Sequence, residues 1–370
     1  MKNQRTKRMA NIEALRLLAM LMVVSLHYLA KGELLPALTA PMNAQGYLAW
    51  FLEALSIAAV DVYVLISAYF LTETGFRCKR LIGLVCQVLF YTILIPLVMI
   101  AIGVVDVHSI QIYDVLQSVL PVNMLQYWFV SAYVLMYLFT PVLNAAVHAM
   151  KRTQLRYTIF LILIMESLAK TILPVRLELD NLGYDCLWFM TVYLIAAYIR
   201  LYGISFFEKR SASIISYVIL VCAIYGVTLI VRAVYLSAGV LENFIEAPFG
   251  YNHLLTLGAA IALFYAFRDL TIEGKAAEWI CRLSPYTFGV YLLHEELYLR
   301  YRWPFWFGAG AIDSPFDLLW HWLLAIVSVL LIGCLIDALR AALFRGAGKV
   351  LARTALARKL SEIDLRLSGK

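Results

Sequence analysis

The chain alternates between long apolar runs and short polar connections. Runs long enough to cross a hydrocarbon core fall at about residues 11–30, 46–71, 81–103, 127–148, 155–174, 186–203, 212–237, 250–267, 284–302 and 317–344. Continuous apolarity at this length predicts membrane helices rather than half-buried strands. The expected fold is an all-α polytopic membrane protein of about ten transmembrane helices. Two segments fall outside the runs. Residues 104–126 form a connection whose apolar part, Ile110 to Leu120, is expected at the membrane interface. Residues 346–370 read as a basic amphipathic cytoplasmic tail resting on anionic lipid, leaving residues 1–345 as the transmembrane domain.

Charge placement tests the count of helices. Of the 31 Lys and Arg residues, 24 fall at the N-terminus, at alternate connections (Arg77, Lys79 and Arg80; Lys151, Arg152 and Arg156; Arg200, Lys209 and Arg210; Arg268, Lys275 and Arg282) and in the tail. Lys31, Lys170, Arg176, Arg232, Arg300 and Arg302 fall on the other side, and Arg16 lies inside a run. That alternation fits ten helices with both termini cytoplasmic. Composition agrees: 63% hydrophobic and 15% charged residues, with mean hydropathy +0.81, exclude an ordinary soluble domain. The net charge of +7 is topogenic in its placement, so nucleic acid is not an expected partner. Six scattered cysteines lack paired spacing and give neither a disulfide framework nor a metal site. The first run is too long for a signal peptide and lacks a small-residue cleavage site.

Several ionisable residues interrupt this pattern. Arg16 and His27 are eleven positions apart in the first run, which returns them to one helix face at about 16 Å along the axis. Glu13 lies one turn before Arg16 and can pair with it. Glu53 and Asp61 sit in the second run, Glu166 in the fifth, and His294, Glu295 and Glu296 in the ninth. His253 and His321 fall near helix ends. Each can be a structural ion pair or helix contact. Together, at staggered depths, they suggest a hydrated polar conduit running from Arg16 past Asp61 to His27.

Five motifs, in order, then resemble one family. Glu13-Ala14-Leu15-Arg16, ten residues and His27 resemble Asp-Gly-Leu-Arg followed by His, with Glu in place of Asp. Ala59-Val60-Asp61 through Ser67-Ala68 resembles Gly-Val-Asp-x-Phe-Phe-x-x-Ser-Gly, with Ala at both glycines. Arg77-Cys78-Lys79-Arg80 matches a basic Arg-x-x-Arg. Tyr127-Trp128-Phe129, Tyr137 and Pro141 match a Trp-Phe…Tyr…Pro helix. Ser284 through Phe288-Gly289, Tyr291-Leu292 and His294 match a late Ser-x-x-x-Phe-Gly-x-Tyr-Leu-x-His helix. Over about residues 8 to 340 the chain resembles the acyltransferase-3 family of bacterial integral membrane proteins, which includes polysaccharide O-acetyltransferases.

The resemblance implies a multi-pass enzyme of the bacterial cytoplasmic membrane. It would move an acyl group, expected to be acetyl, from cytoplasmic acetyl-CoA or another acyl-CoA to a hydroxyl of a cell-surface or lipid-linked glycan. No metal is expected. His27 is the expected general base or transient acyl carrier, with Arg16, Glu13 and Asp61 around it. Arg77, Lys79 and Arg80 are expected to hold donor phosphates, with Ser67 on the donor path, although topogenic charge alone also explains the three cations. Glu53, Glu166, Ser284 and His294 are further candidates for the polar channel. Trp303, Phe305, Trp306, Phe307 and Tyr251 either stack on sugar rings or form an interfacial belt. Two other readings stay open: a transporter or flippase for a glycan precursor or small amino acid, and a nonenzymatic subunit of a polysaccharide export complex.

Overall fold

The computed structural model describes residues 9–173 and 181–351, with residues 359 and 362–364. Arg176 and most of the expected tail lie outside the described residues. In chain order the helices are α1 (Ala10–Lys31), α2 (Ala44–Ser56), α3 (Ala59–Thr74), α4 (Cys78–Ala101), α5 (Ile112–Val119), α6 (Trp128–Ala149) and α7 (Arg152–Leu163). They continue with α8 (Cys186–Tyr202), α9 (Arg210–Ala238), α10 (Leu254–Arg268), α11 (Gly274–Leu283), α12 (Thr287–His294) and α13 (Pro315–Leu351). Every regular element among the described residues is helical.

Seven helical stretches among the described residues are long and apolar enough to cross a membrane: Ala10–Lys31, Ala44–Thr74, Cys78–Ala101, Trp128–Ala149, Arg210–Ala238, Glu242–Arg268 and Pro315–Gly346. The protein is therefore a multi-pass membrane protein. Three of the ten expected runs take other forms. The fifth is α7 continued through a π turn at Ile164–Leu168 and a short helix at Ala169–Ile172. The sixth is the 17-residue α8. The ninth stops being helical at His294, eight residues before its expected end. There Glu296 turns its own carboxylate onto the Tyr298 N–H at 2.8 Å, taking a donor that helix continuation would use. The expected interfacial segment contains α5, whose Ile112, Tyr113, Val115, Leu116 and Val119 are exposed.

The helix carrying Arg16 and His27 is the centre of the bundle. α1 packs against α2, α3, α10, α11, α12 and α13, and Leu15, Ala19, Val24, Tyr28 and Leu29 are fully buried. The apolar window of α1 is 67% buried, against 22% for α4 and 17% for α9, whose faces are left for lipid. Two contacts fix the helices around α1. Ser25 on α1 accepts from Trp322 Nε1 at 2.8 Å and from Ser56 at 3.1 Å, tying α13 and the break at Ile57–Ala58 to it. On α12, a methyl added at Gly289 would collide with the Asp337 carboxylate, and one at Gly333 would meet the Val290 backbone at 2.9 Å. Small residues thus let α12 and α13 approach closely, as in other membrane helix pairs. By contrast, Ala59 and Ala68 stand where the resembled motif has glycine, and both are fully buried.

Candidate active site

His27 and His294 come from opposite ends of the chain and meet in the bundle. Their nearest ring nitrogens, His27 Nδ1 and His294 Nε2, are 2.8 Å apart. His294 Nδ1 lies 2.6 Å from the Val290 carbonyl, one turn earlier on α12. A carbonyl can only accept, so His294 Nδ1 carries a proton. In the neutral ring His294 Nε2 is then an acceptor, and His27 must donate to it from Nδ1. This assignment leaves the His27 Nε2 lone pair unprotonated. A neutral imidazole held in this tautomer is poised to take a proton.

The surroundings reinforce that order. Glu295 Oε1 lies 3.3 Å from His27 Nδ1 and also pairs with the Lys31 ammonium. Lys31 is four residues after His27, on the same face of α1. The Trp303 ring packs edge-on against His294 with centroids 5.7 Å apart, and the Tyr28 hydroxyl donates to the Phe307 carbonyl at 3.1 Å. His294 is 3% exposed and Glu295 7%, whereas the His27 side chain keeps 21%. Its exposed edge lines a narrow apolar cleft walled by Met20, Val23, Tyr63, Phe129, Phe288 and Tyr291 among others.

His27, His294 and Glu295 also place one ligand atom each within 4.8 Å of one another, close enough for a metal ion. Two contacts favour the hydrogen-bonded pair. The histidine nitrogens sit at a hydrogen-bonding separation, and the Glu295 oxygen already faces the Lys31 cation. Prolonged dialysis against a strong chelator is accordingly expected to leave turnover within twofold of the untreated protein. Loss of activity restored by one divalent metal would make the three residues ligands instead.

The other expected site residues spread along the bundle. Arg16 and Glu13 pair at 2.8 Å, and the Arg16 carbonyl accepts from the Tyr63 hydroxyl at 2.9 Å. Asp61 is fully buried and accepts from Trp188 Nε1 on α8 at 2.9 Å. Its second oxygen is buried without a partner. The position of an orienting group beside His27 is held by His294. Glu53 is half-buried on α2, Glu166 lies on the π turn after α7, and Ser284 is buried just before α12. His253 caps α10, accepting from the Leu255 N–H, and His321 Nδ1 lies 2.9 Å from the Asp317 carbonyl. Trp188→Phe would strand the Asp61 carboxyl entirely, and should destabilise the protein by about 1–3 kcal/mol in thermal melts. An unchanged melt would show that Asp61 finds another partner.

Instead of one charged column, an aromatic ladder joins the two ends. Arg77, Lys79 and Arg80 are exposed at the start of α4. The Tyr137 hydroxyl accepts from the Arg77 N–H at 2.9 Å and lies 3.2 Å from the Arg77 carbonyl. Along α6, Tyr137 stacks on Tyr133 and Tyr133 on Phe129, each pair with centroids 6.2 Å apart. Ser67 on α3 bonds the Tyr133 hydroxyl at 2.7 Å. Phe129 then meets Tyr291 at 5.8 Å, and Tyr291 meets His27 at 6.4 Å.

A family model described as an acyltransferase domain matches residues 9–338, nearly the whole chain. The protein belongs to the acyltransferase-3 family. Neither a curated protein nor a solved structure matches it. Within this acyltransferase, His27, His294 and the ladder all fall in the matched region. By sequence alone His294 stands among the channel candidates and closes the late-helix motif, and Lys31 is one of the basic residues of the outer side. The four-residue spacing of His27 and Lys31, and the adjacent His294-Glu295 at the end of an apolar run, were the available signals.

Proposed function

We propose that this acyltransferase is an O-acyltransferase of the bacterial cytoplasmic membrane. It moves an acyl group, by our reading acetyl, from cytoplasmic acyl-coenzyme A to a hydroxyl of a cell-surface or lipid-linked glycan. The observation that carries the proposal is the hydrogen-bond order Val290–His294–His27, which leaves His27 Nε2 free on the wall of an apolar cleft. In our reading the ten runs are ten spans with both termini cytoplasmic, the fifth, sixth and ninth included. This puts Arg77, Lys79 and Arg80 on the cytoplasmic side, where the donor arrives.

The chemistry follows from that arrangement. Donor phosphates meet Arg77, Lys79 and Arg80, whose cationic groups suit phosphate oxygens. An anion is already accommodated there, since the Asp364 carboxylate accepts from the Cys78 N–H at 2.5 Å. The thin pantetheine arm follows the Tyr137–Tyr133–Phe129 ladder toward the cleft, past Arg16 and Ser67. At the cleft, His27 Nε2 removes the acceptor hydroxyl proton while the oxygen attacks the thioester carbonyl. Collapse of the tetrahedral intermediate breaks the C–S bond, and the imidazolium returns the proton to the leaving thiolate. Tyr291 offers a phenolic donor to the developing oxyanion. His294 and Glu295 stabilise the charged imidazole through its Nδ1–H.

Replacing Arg77, Lys79 and Arg80 together with alanine should raise the KM for acyl-coenzyme A by about tenfold or more, each lost phosphate contact being worth about 1 kcal/mol or more. The rate at saturating donor should change little, because the cations act before the chemical step. Assays of labelled acetyl-coenzyme A in inverted membrane vesicles separate these effects. An unaltered KM would assign the three residues to topology alone.

A further inference from the structure

Lys31 is the last residue of α1, and Gly32 closes the helix by donating its N–H to the Tyr28 carbonyl at 3.0 Å. A cation is favoured there, because the carbonyl end of a helix carries the negative pole of its dipole. Glu295 stands just past the last turn of α12, at the same kind of pole. A carboxylate is disfavoured in that place, so Glu295 needs a cation from another element. The two helix ends meet beside the histidine pair. There Glu295 Oε1 pairs with the Lys31 ammonium and lies 3.3 Å from His27 Nδ1. Only 9% of the Glu295 side chain and 15% of the Lys31 side chain are exposed, so solvent screens this contact little.

One carboxylate oxygen thus faces both an imidazole and an ammonium. Left to His27 alone, the anion would favour the charged form of the ring. A ring protonated at both nitrogens has no lone pair with which to act as a base. The Lys31 ammonium opposes this, since carboxylate and ammonium together present no net charge to the imidazole. The bond to His294 then decides which nitrogen keeps the one proton. The other groups around His27 leave that balance intact. His294 and Tyr291 face it from α12, and the phenols of Tyr63 on α3 and Tyr251 before α10 share its cleft. Glu296 is turned onto the Tyr298 N–H. Arg300 adds a second cation whose charge acts on His27; its guanidinium lies 5.3 Å from the Tyr301 ring, and the Lys31 ammonium lies 5.8 Å from the same ring.

We infer that Lys31 is a positioning residue: by holding Glu295 it keeps the resting His27 ring neutral, with Nε2 free. The carboxylate stays close enough to steady the imidazolium once the acceptor's proton arrives, yet does not hold the ring charged beforehand. The catalytic meaning rests on the acyltransfer reading, whereas the charge state of His27 can be followed without turnover.

Diethyl pyrocarbonate reads that state directly, because it carbethoxylates an imidazole only through an unprotonated nitrogen. The full-length protein in lipid nanodiscs is treated near neutral pH, and modification of the His27 peptide is followed by mass spectrometry. Lys31→Met leaves one uncompensated negative charge beside the ring, so the rate should fall about fivefold or more and recover as the pH is raised. Lys31→Arg should keep the wild-type rate. Lys31→Met combined with Glu295→Gln makes the surroundings neutral again and should restore it. Glu295→Gln alone leaves the cation uncompensated and should extend rapid modification to lower pH, an arm that stands even if Lys31→Met fails to fold. Turnover of Lys31→Met should fall in parallel, with the KM for acyl-coenzyme A unchanged. Equal modification of wild type, Lys31→Met and Glu295→Gln at every pH would overturn the assignment. So would a loss in Lys31→Met that neither higher pH nor Glu295→Gln reverses, which is the mark of a structural role. If the modification rates follow the charges but no acyl transfer is found, only the acyltransfer reading fails.

Discussion

His27→Ala is expected to reduce O-acylation of the surface glycan by about 10²–10⁴-fold, the usual contribution of a positioned acid–base group, while glycan export continues unchanged. The loss comes from chemistry and not from folding. His27 keeps part of its side chain in the cleft, and its neighbours on α1 carry the packing. The melting temperature should therefore stay near that of the wild type. His294→Ala should cost less. In a Ser-His-Asp triad the wrong tautomer alone costs about 10⁴-fold. Here Glu295 at 3.3 Å can still accept the His27 Nδ1 proton, so the tautomer is partly retained. Measuring O-acetyl content of extracted glycan in deletion and complemented strains reads both effects. Loss of the exported glycan itself in the His27→Ala strain would favour a transporter.

The second large effect concerns stability. Asp337 on α13 is fully buried and accepts from Arg340 Nε at 2.6 Å, Arg340 Nη2 at 3.0 Å, Tyr91 at 2.9 Å and Gln87 at 3.0 Å. These bonds tie α4 to α13 at the point where Gly289 of α12 closes on the carboxylate. Asp337→Ala removes all four at once and leaves the Arg340 cation buried without its partner. Breaking a buried pair in this way costs about 3–5 kcal/mol. We expect a large drop in the thermal denaturation midpoint in detergent, with activity lost alongside it. Asp337→Asn keeps the shape and part of the bonding and should fall between the two. A melt for Asp337→Ala within a degree of the wild type would show that the network does not hold α4, α12 and α13 together. Gly289→Ala gives an independent check through overpacking of the same contact.

Much of this fold was legible in the sequence because bilayer solvation imposes one strong rule on every span. Apolar length located α1, α4, α6, α9 and α13, and the pairing of Glu13 with Arg16 followed from their spacing. What periodicity cannot show is where side chains from distant spans meet. The end of α12 at His294 depends on Glu296 folding back on the Tyr298 N–H, a local bond with no hydropathy signature. The His27–His294 contact joins residues 267 positions apart. In a linear reading Asp61 falls between the depths of His27 and Arg16, and in the fold Trp188 on α8 claims its carboxylate. Depth along a helix axis can be counted from sequence, whereas rotation about that axis is set by packing. The aromatic ladder was half visible: the i, i+4 spacing of Phe129, Tyr133 and Tyr137 puts them on one face. Its role as a path appears only once Arg77 is seen at one end and Tyr291 at the other.

The account stands or falls on the free imidazole nitrogen of His27 meeting a thioester inside the bundle. Coenzyme A release should be followed with a thiol reagent, using purified protein in nanodiscs with acetyl-coenzyme A and a glycan acceptor. We predict acceptor-dependent release from the wild type, strongly reduced release from His294→Ala, and none above background from His27→Ala. Release from His27→Ala at the wild-type rate, with the acceptor acylated, would contradict it.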